Sequence, residues 1–405
     1  MLNNVVIVGT SLAGLRAAET LRVDGYDGEI TMINGEAHAP YDRPPLSKKV
    51  LSGEWDTDRI ALRKGDTMGD LRADLRNGVR ATALDTGAKR VSLSDGTDVP
   101  YDAVLIATGA HPRRLANQPD LEGIHALRTL DDAMGLKADL AAAPQRVVVI
   151  GAGFIGAEVA STAKGYGLDV TVLEALPVPL ARGLGERMGM ACGLFHGDNG
   201  VELRLGVGVE ALEGAKRVER VRLTDGTAID ADVVVVGVGV VPTTQWLDSS
   251  GLELRDGVVC DATLCAGPPG VYAAGDLVRW PNGFYGEEMR IEHWTNASEQ
   301  GVIAAKNILA TAAGGTGEAY SPVPFFWSDQ YGRRIQFLGR GAGTDDIEIV
   351  HGSIEERKWV AVYSREGRVR GALGIDLPRV LMPLRQHLLD RSPTEVVVEA
   401  VRSKS

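Results

Sequence analysis

Four consecutive apolar residues, Val5 to Val8, run into the turn Gly9-Thr10-Ser11-Leu12-Ala13-Gly14. A helical stretch follows through Leu21, and then a second apolar run over residues 29–34, closed by Gly35-Glu36. Short apolar runs bounded by glycine are the pattern of strands buried on both faces, as parallel sheets require. The pattern returns at Val147-Val148-Val149-Ile150, followed by Gly151-Ala152-Gly153-Phe154-Ile155-Gly156, a helix through about Tyr166, and residues 169–173 before Glu174. Each copy predicts a strand, a glycine turn, a helix, a second strand and an acid, so a βαβ unit is written twice. A third strand also repeats. Residues 101–109 end in Ala107-Thr108-Gly109 and residues 230–239 end in Gly239. Each lies roughly 80–90 residues after the start of its own glycine loop, so the repeating unit is a whole domain.

The loops carry the chemistry that such units need. In the second, Gly151 makes the tight turn, Gly153 admits a pyrophosphate to the backbone, and Gly156 lets helix pack on strand. The helix N-terminus offers unpaired N–H groups and partial positive charge to phosphate. Glu174 is placed to bond both hydroxyls of an adenosine ribose and to repel a 2′-phosphate, and Ala175-Leu176-Pro177 supply no arginine to receive one. NADH is therefore expected over NADPH. Arg182, further along, is read either as a 2′-phosphate partner or as a solvated arginine. The expected contacts here are Gly151, Gly153, Ile155, Gly156, Glu158, Glu174 and Gly239. In the first loop Ser11 stands where the second glycine is expected, adding a Cβ at the closest phosphate approach, or a hydroxyl that donates there. Gly9, Ser11, Ala13, Gly14, Glu36, Ala107, Thr108 and Gly109 are the expected contacts of that site.

Composition narrows the class. A chain of 405 residues has room for two or three domains, and 44% apolar with 24% charged residues is ordinary for a globular protein. A net charge of −11 argues against nucleic acid as a partner. No apolar run approaches the roughly 20 residues of a membrane span, and Met1-Leu2-Asn3-Asn4 lacks the features of a signal peptide. Three cysteines, Cys192, Cys260 and Cys265, are too few for a secreted disulfide framework. A cytoplasmic location, no membrane partner and no bound metal are expected.

Val271-Tyr272-Ala273-Ala274-Gly275-Asp276 resembles the second FAD motif of the glutathione-reductase-like flavoproteins. That resemblance assigns FAD to the first site, with Asp276 on the ribityl chain, and NADH to the second. A disulfide reductase of that kind needs two redox cysteines beside the flavin, and none of the three here has that placement. Pro40-Tyr41-Asp42-Arg43-Pro44-Pro45-Leu46-Ser47-Lys48 resembles the ferredoxin reductases of Rieske dioxygenase and haem-thiolate monooxygenase chains. So do residues 127–132, 292–297 and 324–331. The resemblance implies that Arg43, Pro45, Lys48, Arg128, Asp276, Glu292 and Trp294 meet FAD, that Ala81 lies on its adenine side, and that Trp327 lies near the flavin and the docking face. It places Lys48 and Glu158 as the polar pair near the reacting atoms, with Glu158 able to reach the nicotinamide.

The expected fold class is α/β: two Rossmann-like dinucleotide-binding domains and a small α+β C-terminal domain. The expected division is an FAD domain (1–111 and 242–320), an NAD domain (112–241) and a C-terminal interface domain (321–405), jointed near Pro242 and residues 312–317. The last should hold strands at 334–338 and 359–363 and a helix from Pro378 to about Leu389. Arg333, Arg334 and Arg340 are read as a patch for an acidic ferredoxin or as a solvated face. The resulting expectation is that hydride passes from NADH to FAD, and single electrons then pass to a small iron–sulfur ferredoxin that supplies an oxygenase. The alternatives are an FAD-dependent NADH reductase of a quinone, nitrite or ascorbate radical, a redox sensor of the apoptosis-inducing-factor type, and a nucleotide-binding module without turnover.

Overall fold

The computed structural model describes residues 2–63 and 69–403; Met1, at the start of the expected FAD domain, and Lys404-Ser405, at the end of the expected C-terminal domain, lie outside the described residues. The chain forms two compact units: residues 1–42, 57–111 and 241–322, and residues 43–56, 112–240 and 323–405.

The first unit is built on a five-stranded parallel sheet in the order Val271–Ala273, Ala103–Ile106, Asn4–Val8, Glu29–Asn34, Ala73–Asn77. Both faces of its central strands are covered, which is why Val5, Val6, Ile7 and Val104 are all buried and why the sequence shows apolar runs rather than alternation. Two helices, Leu12–Val23 and Trp294–Ala312, pack tightly together. Gly301 permits that approach, since a Cβ there would stand 2.3 Å from the Ala13 carbonyl oxygen. A small antiparallel sheet of Ala81–Asp85, Arg90–Leu93 and Asp98–Pro100 completes this part of the unit.

The second unit repeats the parallel sheet in the order Glu202–Leu205, Asp169–Glu174, Arg146–Ile150, Val233–Val236, Ile124–His125. It also contains a five-stranded antiparallel sheet, Phe325–Gln330, Arg333–Gly339, Arg368–Ile375, Lys358–Arg365, Asp346–Ser353. The helix Ala181–Asp198 binds the two sheets into one unit: Leu184, Met188 and Phe195 share a core with Phe337, Trp359 and Tyr363. Residues 43–56 are sewn to the helix Phe154–Gly165, with Thr162 Oγ1 donating to the Ser47 carbonyl at 2.8 Å and Tyr166 OH to the Leu51 carbonyl at 2.7 Å. The helix expected from Pro378 is interrupted. It forms as Pro378–Leu381 and Leu384–Leu389, because Pro383 has no N–H to continue the ladder. A last helix, Thr394–Arg402, follows.

Candidate cofactor sites

In the first unit the strand Asn4–Val8 has its βα neighbour Glu29–Asn34 on one side and Ala103–Ile106 on the other, so the strand order reverses beside its carboxyl end. Ligands of open α/β sheets sit at such a point. Gly9, Glu36, Ala107 and Gly275-Asp276 follow the carboxyl ends of four adjacent strands. Gly9 has φ +105° and a Cβ there would meet the Ala107 carbonyl oxygen at 2.2 Å, while a Cβ on Gly14 would meet the Gly9 carbonyl oxygen at 1.9 Å. Both positions therefore exclude any side chain. Ser11 is the N-cap residue of Leu12–Val23, in extended conformation, and its side chain makes no capping bond. Extended backbone suits any residue, so serine is accommodated where the motif has glycine.

The surrounding residues are held by hydrogen bonds to backbone and side-chain groups. Gly275 N donates to Gln300 Oε1 at 2.8 Å, and Arg290 donates from one nitrogen to the Asp276 carbonyl at 3.1 Å and to Glu292 Oε1 at 2.6 Å. Thr108 Oγ1 donates to the Thr243 carbonyl at 2.8 Å and Thr243 N to the Gly109 carbonyl at 2.9 Å. Trp294 Nε1 donates to Asp42 Oδ1 at 2.7 Å. Tyr41 OH donates to Glu36 Oε2 at 2.5 Å. Ala81 opens an edge strand and is half-buried. Gln300 and Arg290 are not singled out by sequence motif. Gln300 leaves no local signal, while Arg290 stands two residues before Glu292.

The second unit has the same reversal, at the carboxyl end of Arg146–Ile150 between Asp169–Glu174 and Val233–Val236. Gly151 has φ +103°, and a Cβ there would stand 2.4 Å from the Gly237 carbonyl oxygen; a Cβ on Gly156 would lie 2.0 Å from the Gly151 carbonyl oxygen. Gly153, the N-cap residue of Phe154–Gly165, differs from both: a Cβ there would meet nothing within 4 Å, and no side chain caps the helix. Gly239, at φ +100°, also borders open space. Ile155 is 48% exposed on the first turn. Glu174 accepts from Ala152 N at 2.8 Å through Oε2 and from Leu176 N at 2.9 Å through Oε1, so it also ties the loop to the strand that follows.

Lys48 and Glu158, 110 residues apart in sequence, form an ion pair of 2.7 Å. Glu158 is only 3% exposed. Its Oε2 accepts from Lys48 Nζ and from Ser47 Oγ at 2.5 Å; its Oε1 accepts from Ser328 Oγ at 2.6 Å and from Asp329 N at 3.3 Å. Ser47 and Ser328 lie inside segments that the sequence marks, but hydroxyls carry no periodic signal that would reveal their target. Arg43 donates to the Arg128 carbonyl at 2.7 Å, and the Arg128 and Thr129 N–H groups both donate to Asp132, which with Thr129 forms a capping box on the helix Leu130–Ala141. Pro45 sits in the single turn Pro44–Ser47, its carbonyl accepting from Lys48 N at 3.1 Å. Trp327 is half-buried and stacks on Phe325 with centroids 6.0 Å apart.

The arginine patch is largely neutralised. Arg333 pairs with Asp376 at 3.1 Å and Arg334 makes a two-pronged pair with Asp329, so both of these charges have a carboxylate at hand. All three cysteines are free thiols, Cys192 and Cys260 buried. Burial pushes both of those thiols well above the ordinary range and raises Cys265 as well, the reverse of what a redox thiolate requires.

A family model described as pyridine nucleotide-disulphide oxidoreductase matches residues 3–301, and one described as reductase C-terminal matches residues 325–400. Rhodocoxin reductase of Rhodococcus erythropolis is 37% identical over 392 residues, 96% of this chain and 90% of that protein. The benzene 1,2-dioxygenase system ferredoxin–NAD(+) reductase subunit of Pseudomonas putida is 35% identical over 94% of this chain and 90% of its own length. Among solved structures, the covalent putidaredoxin reductase–putidaredoxin complex contains a chain that superposes with a TM-score of 0.93 at 31% identity, covering 99% of this chain and 98% of that one.

Proposed function

We propose that this chain, which belongs to the pyridine nucleotide-disulphide oxidoreductase family, is an NADH-dependent, FAD-containing reductase that passes electrons to a small iron–sulfur ferredoxin feeding an oxygenase. The observation that carries the reading is the pair of glycine loops, each at the carboxyl end of a parallel strand where the sheet order reverses. Similarity to ferredoxin reductases along nearly the whole chain supports it. A carrier that accepts one electron at a time needs an intermediary that accepts two, and bound FAD supplies that conversion.

The first unit holds FAD. Gly9 and Gly14 keep the loop low over the sheet, Ser11 and Ala13 face the pyrophosphate, and Glu36 and Asp276 hold the ribose and ribityl hydroxyls. The second unit holds NADH. Open space at Gly153 leaves room for the pyrophosphate against first-turn N–H groups. Ile155 offers an apolar surface to the nucleotide, and Glu174 keeps two acceptor sites for ribose hydroxyls beside its loop bonds. Burial of Cys192 and Cys260, with the pKa of all three thiols raised, supports electron transfer without a protein disulfide. Three unpaired cysteines accord with a cytoplasmic location; among the described residues no helix is long and apolar enough to cross a membrane.

Anaerobic titration with NADH tests the reading: one equivalent bleaches the flavin band, and an unbleached flavin sinks it. Steady-state turnover then favours a purified ferredoxin over quinone, nitrite and ascorbate radical. Faster turnover with any of those small acceptors would replace the ferredoxin assignment.

A further inference from the structure

Gly275 and Asp276 follow the strand Val271–Ala273 in a turn that Val278 N closes by donating to the Gly275 carbonyl at 3.0 Å. Gly275 has φ +92°, a conformation that glycine alone adopts without strain. A Cβ there would stand 3.4 Å from the Ala13 Cβ and 3.9 Å from that of Ala297, so the turn lies where the helices Leu12–Val23 and Trp294–Ala312 meet.

Two side chains from other elements grip this turn by its backbone. Gln300, on the helix Trp294–Ala312, accepts from Gly275 N through Oε1 at 2.8 Å. Arg290, one residue past the strand Glu287–Met289, donates through Nη1 to the Asp276 carbonyl at 3.1 Å. Neither bond engages the Asp276 carboxylate. The second Nη1 proton goes to Glu292 Oε1 at 2.6 Å, and Nε donates to Asp256 Oδ2 at 3.2 Å. Three acceptors thus fix the guanidinium plane, and Arg279 ties Asp256 in turn at 2.9 Å. The Arg290 side chain is only 14% exposed.

Gln300 is a poor choice for stability alone. It is 0% exposed, and with Oε1 turned to Gly275 its Nε2 has no hydrogen-bond partner among the described residues. A buried donor without a partner destabilises a fold, and such atoms are rare. An apolar side chain of the same length would exchange one unpaired donor, Nε2, for another, the Gly275 N–H, with little net change. What the amide adds is one acceptor, aimed at the backbone just before Asp276.

We infer that Arg290 and Gln300 are positioning residues for FAD: by holding the backbone on either side of the Asp276 side chain, they set its carboxylate toward the ribityl chain. The inference rests on the proposed binding of FAD in the first unit. Its physical ground is that an aspartate has two side-chain torsions, so the place of its carboxylate follows its backbone. A hydrogen bond fades beyond about 3.2 Å, and a small rotation of the turn is enough to lose one. One bond to a charged group accounts for roughly ten- to a hundredfold in affinity.

The test uses the full-length chain, freed of FAD and titrated calorimetrically with FAD and with ADP, which carries the adenosine and pyrophosphate but no ribityl chain. Gln300→Met and Arg290→Gln are each expected to weaken FAD binding by roughly tenfold or more, with ADP affinity within twofold of wild type. Gln300→Met should also keep the melting temperature of the FAD-free chain within about three degrees. Equal losses of FAD and ADP affinity would overturn the inference, because the two residues would then support the glycine loop or the fold rather than Asp276. FAD affinity within twofold of wild type in either variant would overturn the assignment of that residue. If Arg290→Gln yields no folded protein, Arg290→Lys, which keeps the charge but not the planar fork, replaces it with the same ligands and the same readings. A wild-type chain that binds no FAD would instead sink the proposed function, leaving the two failures distinct.

Discussion

Gly156→Ala places a methyl group 2.0 Å from the Gly151 carbonyl oxygen, where ordinary contact begins at 3.4 Å. The obstacle is backbone, not a side chain that can swing away, so the helix Phe154–Gly165 and the loop must separate by about 1.4 Å. That distance exceeds the tolerance of any hydrogen bond between first-turn N–H groups and a phosphate, which fades beyond about 3.2 Å. Hydrogen bonds to a charged group contribute about 1.5–3 kcal/mol each, so losing one weakens NADH binding by roughly ten- to a hundredfold. Overpacking costs a further 1–3 kcal/mol or so of stability in the second unit. The first unit contains none of the moved atoms, so FAD content, read as the flavin absorbance per protein, stays at the wild-type level. Gly14→Ala is the mirror experiment, with its Cβ 1.9 Å from the Gly9 carbonyl oxygen; it should yield colourless protein that still binds NAD+. The assays are flavin stoichiometry and NAD+ titration by fluorescence on both variants. NAD+ affinity within twofold of wild type in Gly156→Ala, or loss of FAD rather than of NAD+, would refute the reasoning.

Gly153→Ala separates ligand contact from folding: its Cβ meets nothing within 4 Å, so the melting temperature should hold within a degree or two while NAD+ affinity falls about tenfold from crowding the pyrophosphate. His196 is buried against Tyr331 OH at 2.8 Å, and desolvation lowers its pKa from 6.5 to about 4. Between those values the unfolded chain binds the proton and the folded one does not, so this histidine makes the protein less stable as pH falls from 7 to 5, by on the order of 1–2 kcal/mol. In His196→Gln the loss of stability over that range, measured by denaturant unfolding, should shrink by that amount; an unchanged loss would show that His196 titrates normally. Burial also protects the thiols: a maleimide at pH 7.5 should label Cys265 before Cys192 or Cys260 in the native protein, and all three in denaturant. Prompt native labelling of Cys192 would contradict its packing beside Tyr363 and Trp359.

Local interactions explain what was legible in the chain. A parallel strand covered on both faces must be apolar throughout, and a glycine with φ near +100° whose Cβ position is filled by a carbonyl admits nothing else. Residues 5–14 and 147–156 therefore disclose the strand, the turn and the helix start with no other part of the chain in view. The acid that ends each second strand is legible for the same reason, because it stands a near-constant distance along one βαβ unit.

Contacts between distant segments are another matter. Glu158 reads as an acid on a first helical turn, and only folding brings Ser47, Lys48, Ser328 and Asp329 onto its two oxygens. Arg333 and Arg334 read as a basic cluster until Asp376 and Asp329 are set beside them. Residues 43–56 continue the first unit in sequence, yet Thr162 and Tyr166 bind them to the second. Side-chain hydrogen bonds have no period and no required spacing, so nothing in the order of residues records them. The sequence by itself determined the two dinucleotide folds, because backbone sterics and burial act within a few residues. Tertiary structure decided which charges meet and which are neutralised, because that depends on separations through space.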